Sequence, residues 1–142
     1  MPKAVEHIVM NAPIEKVFSV IVDYNKYPEF LSDMKDVVTL SRQDGVAVVR
    51  FDLELIMKVS YTLRLVEDSP TKVRWTLEQA KVLSENTGGW LLESLGEGQT
   101  RATYDLEVKL RGLIPKSVST KLLGTTLPET LQRFKTRAER MS

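Results

Sequence analysis

The chain has no cysteine, only one histidine, and no apolar stretch long enough to cross a membrane. Without thiols there is no disulfide, no thiolate nucleophile and no cysteine-bound metal. His7 has no Asp or Glu at metal-ligand spacing and no serine in a nucleophile motif, so neither a zinc centre nor a Ser-His site is expected, and His7 reads as structural or exposed. Net charge is missing too. Twenty basic residues against nineteen acidic leave no field that would by itself select nucleic acid or a membrane surface. Gly88-Gly89 lacks the surroundings of a phosphate loop and reads as a bulge or a close approach of two backbones. From Met1 to His7 no apolar run precedes a small-residue cleavage site, so a cytoplasmic protein is expected. No linker or low-complexity segment appears, and residues 1–142 read as one domain with one core.

What is present is led by the last long segment, Pro115 to Met141. Val118, Leu122, Leu123, Leu127, Leu131, Phe134, Ala138 and Met141 recur mostly at steps of three or four, along one face of a helix. Gly124 and Pro128 interrupt that stripe, and Thr126 with Glu129 can be read as a capping box that restarts the helix. A kink or break is expected near Gly124 to Leu127, either as a packing adjustment or as a hinge.

Before the helix the period is two. Ala47, Val49, Phe51, Leu53 and Leu55 alternate with Arg50, Asp52 and Glu54; Val59, Tyr61, Leu63 and Leu65 repeat the pattern, as do Val73, Trp75 and Leu77, and Ala102, Tyr104, Leu106, Val108 and Leu110. Asp44-Gly45, Asp68-Ser69-Pro70 and Gly96-Glu97-Gly98 punctuate these runs, and such short loops make antiparallel hairpins. Ala4 to Met10 reads as a first strand. After it, Asn11 as cap, Pro13 and Glu15 announce a helix with Val17, Phe18, Ile21 and Val22 on its apolar side, and Glu29 to Met34 leaves room for a second short helical piece. The expected fold class is α+β: an antiparallel sheet of about seven strands wrapped around a long C-terminal helix, with two short helices after strand 1.

The run Asn11-Ala12-Pro13-Ile14-Glu15-Lys16-Val17-Phe18, with Asp23-Tyr24 and Tyr27-Pro28-Glu29-Phe30-Leu31, resembles the opening of the START-like helix-grip (SRPBCC) superfamily. Gly89-Trp90, Thr100-Arg101-Ala102-Thr103-Tyr104 and Gly112-Leu113-Ile114-Pro115 are similar to its polyketide cyclase/dehydrase and coenzyme-Q-binding branch. The resemblance implies a cavity between sheet and C-terminal helix. Its occupant would be an apolar small molecule such as a lipid, an isoprenoid quinone or a polyketide-like ring system, bound without metal or cofactor.

The candidate ligand-binding residues are Phe18, Phe30, Phe51, Leu53, Tyr61, Leu63, Trp75, Leu77, Trp90, Tyr104, Leu106, Leu123, Leu127 and Leu131. Tyr61, Trp75, Trp90 and Tyr104 fit either a ligand wall or ordinary core, since both use the same alternation. Ser84, Glu85 and Asn86 fit either a polar group at the pocket mouth or a strand end. No catalytic residue is assigned. Asp52, Glu54, Asp105 and Glu107 fall on the outward phase of their strands, where solvated charge is the usual explanation. A binding or transport protein is therefore favoured over an enzyme, and any enzyme would be a metal-free cyclase/dehydrase. A third reading uses the basic residues Lys116, Lys121, Arg133, Lys135, Arg137 and Arg140 to engage RNA, a ribosome or, transiently, an anionic membrane. They serve equally as the solvated face of a packed helix.

The interior has a thermodynamic bound. A rigid void of roughly 300–1,000 Å³ at about 24 cal/mol per Å³ would cost about 7–24 kcal/mol, as much as a whole domain's stability of roughly 5–15 kcal/mol. The resting interior is therefore expected to be wet, occupied, or closed down by the helix.

Overall fold

In a computed structural model that describes residues 3–54, 57–112, 117 and 127–141, the period-two runs form one antiparallel sheet. Its strands are β1 (Lys3–Met10), β2 (Met34–Gln43), β3 (Val46–Glu54), β4 (Lys58–Asp68), β5 (Lys72–Ala80), β6 (Leu83–Gly96) and β7 (Gln99–Leu110). Their order across the sheet is β1-β7-β6-β5-β4-β3-β2: a six-strand meander with the first strand added beside the last. Short hairpins dictate the meander. At the β2–β3 turn both Asp44 and Gly45 have positive φ, which matches the right-handed twist of the flanking strands.

One sheet face is apolar. Val49, Phe51, Val59, Tyr61, Leu63, Leu65, Val73, Trp75 and Trp90 are buried there, while the outer face carries pairs such as Arg74 with Asp105, 2.5 Å apart, and Ser60 donating to Asp52 at 2.6 Å. Against the apolar face lie α1 (Ile14–Ile21), a 3-10 helix (Tyr24–Glu29) and α2 (Leu127–Met141). Leu131, Phe134 and Ala138 of α2 are buried, at the spacing of three and four read from the sequence. Two links fix its far end: Glu139 accepts the Asn11 N–H at 2.8 Å, and Arg137 bonds Glu29 at 2.7 Å.

Three local expectations need revision or fall elsewhere. Asn11 is not the cap of α1. Pro13 holds that position without a side-chain cap, and Asn11 Oδ1 accepts instead from Gln99 Nε2 at 2.9 Å. The second helical piece spans Tyr24–Glu29 rather than Glu29 to Met34: the Lys26 N–H bonds the Asp23 carbonyl at one end and the Phe30 N–H the Tyr27 carbonyl at the other, so Pro28, which has no N–H to give, is held inside a short 3-10 helix. The kink expected near Gly124 to Leu127, and residues Val118, Leu122 and Leu123, lie outside the described residues. Within them Pro128 sits in the first turn of α2, where a missing N–H costs nothing.

Gly88 and Gly89 mark a close backbone approach and not a bulge, for the β6–β7 register runs through them unbroken. A Cβ on Gly88 would stand 2.2 Å from the Asp105 carbonyl oxygen, and one on Gly89 2.3 Å from that of Val73. Neither neighbour can yield without parting two strands. Gly88→Ala is expected to cost about 1–3 kcal/mol or more in urea unfolding. A change under about 0.5 kcal/mol would show that the sheet opens there freely.

Candidate functional site

Between the concave face of the sheet and α2 lies a cavity of about 80 Å³. Alternation aims Phe51 of β3, Tyr61, Leu63 and Leu65 of β4, Trp75 of β5, Asn86 and Trp90 of β6, and Tyr104, Leu106 and Val108 of β7 at the same space. Tyr27 of the 3-10 helix, Leu31, Met34, and Thr130 and Phe134 of α2 close it. The rings hold one another by edges and faces. Trp90 meets Tyr104 at 4.8 Å and Phe134 at 5.0 Å, Phe134 meets Tyr27 at 5.2 Å, and Phe51 stacks on Tyr61 at 5.5 Å.

Of the residues expected to bind ligand, Phe51, Tyr61, Leu63, Trp75, Trp90, Tyr104 and Leu106 line this cavity. Phe18, Leu53 and Leu131 are buried in the surrounding core and do not reach it. Phe30 packs against Tyr27 and Phe134 and beneath Arg137 and is not part of the lining. Leu77 is part-exposed, because β6 accompanies β5 only from Lys72 to Trp75 and then diverges. Leu123 and the Leu127 side chain lie outside the described residues. The sequence reading missed Tyr27, Leu31, Met34, Leu65, Val108, Thr130 and Phe134. Leu65 and Val108 share the phase of Leu63 and Leu106, and Phe134 belongs to the helical stripe, so pattern alone could have added these three.

The polar groups of the lining are few and uncharged. Trp75 Nε1 donates to Asn86 Oδ1 at 3.1 Å, and the Tyr27 hydroxyl donates to the Ile21 carbonyl. Tyr61 and Tyr104 have hydroxyls with no hydrogen-bond partner among the described residues. Burial pushes the phenols of Tyr27, Tyr61 and Tyr104 well above their ordinary value, and neighbouring phenols raise Tyr27 and Tyr104 further. At neutral pH all three are protonated. They can donate a hydrogen bond to an oxygen in the cavity, and none can serve there as a general base.

Beside the cavity, Tyr24 donates to Glu67 at 2.6 Å, and Arg42 grips both oxygens of Glu67 at 2.8 Å while covering the Tyr24 ring. This cluster ties the 3-10 helix, and with it Tyr27, to β2 and β4. The cations of α2 are mostly engaged: Arg133 with Glu129, Lys135 with Glu139, Arg137 with Glu29. Lys116 and Lys121 lie outside the described residues. No cluster of three or more potential metal ligands occurs among the described residues, and no described helix is long and apolar enough to cross a membrane. His7 is exposed on β1.

Residues 10–135 match the family described as polyketide cyclase / dehydrase and lipid transport. Solved structures agree in fold across the chain. A START superfamily protein from Mycobacterium smegmatis, 19% identical, superposes with a TM-score of 0.85 over 99% of both chains. A protein from Thermus thermophilus, 18% identical, gives 0.88 over 99% of both. The Zhui aromatase/cyclase from a Streptomyces species, also 18% identical, gives 0.84 over 98% of this chain and 94% of its own. Among curated proteins, no relative matches this sequence.

Proposed function

This chain belongs to the polyketide cyclase / dehydrase and lipid transport family, and on that premise we propose that it binds and carries an apolar small molecule between its sheet and α2. The observation that carries this reading is the cavity itself. Its wall is aromatic and aliphatic, and among the described residues it bears no carboxylate or cation and gives the Tyr61 and Tyr104 hydroxyls no partner. At about 80 Å³ it costs about 2 kcal/mol if dry, which a domain tolerates. It is also about half the volume of an engineered cavity that holds benzene, ~150 Å³. A lipid, quinone or polyketide-sized ligand therefore enters by displacing wall elements, and binding widens the grip.

The test is native mass spectrometry of the protein as purified, followed by a thermal-shift screen of stripped protein against quinones, fatty acids and polycyclic aromatics. A ligand at a hundredfold excess over its Kd adds about 2.7 kcal/mol, or roughly 5–10 °C in Tm for a chain of this size. No retained molecule and no shift with any class would end the carrier reading.

An aromatase/cyclase is the second reading, favoured by protonated phenols facing the cavity, which could hold the carbonyls of a reactive chain in place. A cyclised product from a poly-β-ketone chain, lost in Tyr61→Phe or Tyr104→Phe, would distinguish enzyme from carrier. Recognition of RNA or a ribosome through α2 has less support, because carboxylates already occupy Arg133, Lys135 and Arg137.

A further inference from the structure

The orientation of one buried amide gives the cavity a chemical preference. Asn86 is only 4% exposed, and its partner, the indole N–H of Trp75, can donate but not accept. The Asn86 oxygen must therefore face the indole. That fixes the amide nitrogen on the other side, where its two N–H groups find no partner among the described residues. No fully sealed side-chain nitrogen or oxygen lacks a partner among the described residues, so this nitrogen and the hydroxyls of Tyr61 and Tyr104 reach open space, and all three residues line the cavity. The wall thus offers donors in excess and no cation.

We propose that the cavity selects neutral molecules carrying a carbonyl oxygen on a compact ring, oriented by the amide of Asn86 and the hydroxyls of Tyr61 and Tyr104, and that it rejects carboxylates. This deepens the binding reading above and rests on it. A carbonyl entering this wall exchanges water for protein donors and satisfies groups that are otherwise unpaired. A carboxylate would shed a tightly held hydration shell with no countercharge to meet it. A hydrocarbon would leave the donors unsatisfied.

The test uses one skeleton in three forms, indane, 1-indanone and indane-1-carboxylate, titrated calorimetrically into the stripped full chain. The expected order is 1-indanone roughly tenfold tighter than indane, about the worth of one net hydrogen bond, with the carboxylate weakest. A wall without free donors would reverse the first pair, because the ketone would lose its water bonds for nothing. Tyr61→Phe combined with Tyr104→Phe should remove most of the ketone preference, by weakening 1-indanone and leaving indane no weaker; neither hydroxyl bonds a described residue, so the fold should persist. Asn86→Leu should act likewise, and if loss of the Trp75 acceptor prevents folding, the tyrosine pair still decides. Indane and 1-indanone binding equally, or tight carboxylate binding, would overturn this proposal and leave the binding reading intact. Failure of both neutral probes to bind would overturn this proposal, whereas the carrier reading falls only if the purified protein also retains no molecule and no ligand class shifts its Tm.

Discussion

Between pH 10 and pH 12 the protein is expected to lose most or all of its stability. All four tyrosines of the chain, Tyr24, Tyr27, Tyr61 and Tyr104, have phenols raised above the ordinary value of 10.0, in each case chiefly by burial. For Tyr24 the hydrogen bond to Glu67 adds to the effect. In the unfolded chain each phenol gives up its proton near pH 10, while the folded protein keeps it to a higher pH. The folded state then binds more protons, and the slope of stability with pH is negative, at about 1.4 kcal/mol per pH unit for each phenol. Four together exceed about 5 kcal/mol per unit, so two units match a whole domain's roughly 5–15 kcal/mol. Below about pH 9 this source contributes no slope. Urea midpoints followed from pH 8 to pH 12, with tyrosinate absorbance recorded alongside, test it. Tyrosinate should appear together with unfolding; phenols that ionise near pH 10 in the native protein would refute the burial argument.

Replacing Trp90 by alanine is expected to cost about 3–5 kcal/mol, the usual loss for a buried aromatic ring. The ring is 2% exposed, meets Tyr104 and Phe134 by its edges, and is also part of the cavity wall. Its removal therefore takes away core contacts and enlarges a space that already exists. Leu91→Ala, one residue along on the outer face, is the matched control and should stay within about 0.5 kcal/mol. Comparable losses for the two would mean that the ring bears on ligand or water more than on core.

The fold was legible because from β3 onward every strand but one carries a period-two alternation, and because turn residues fall where hairpins need them. The exception is β6. Its glycines hide the phase, so Asn86, four residues before Trp90 and on the same side, read equally as a polar group at the pocket mouth and as a strand end. Tyr27 was illegible for another reason: a 3-10 helix of six residues has no period long enough to show which side is buried. Phe18, Leu53 and Leu131 have the right phase and the wrong depth. A sequence period tells which face a residue takes and not how far along that face the packing leaves a gap.

Pairing β1 with β7 has a consequence for how the chain reaches this fold. Lys3 lies opposite Glu107 and Met10 opposite Thr100, whereas every other neighbouring pair of strands is joined directly in sequence. The meander can assemble from local hairpins, each closing a short loop. β1 must wait for its partner, since nearly a hundred residues separate them and the entropy of that closure is spent before any contact returns it. On the ribosome the first strand made is thus the last to be paired, and until β7 emerges the edge of β6 stands open to other chains.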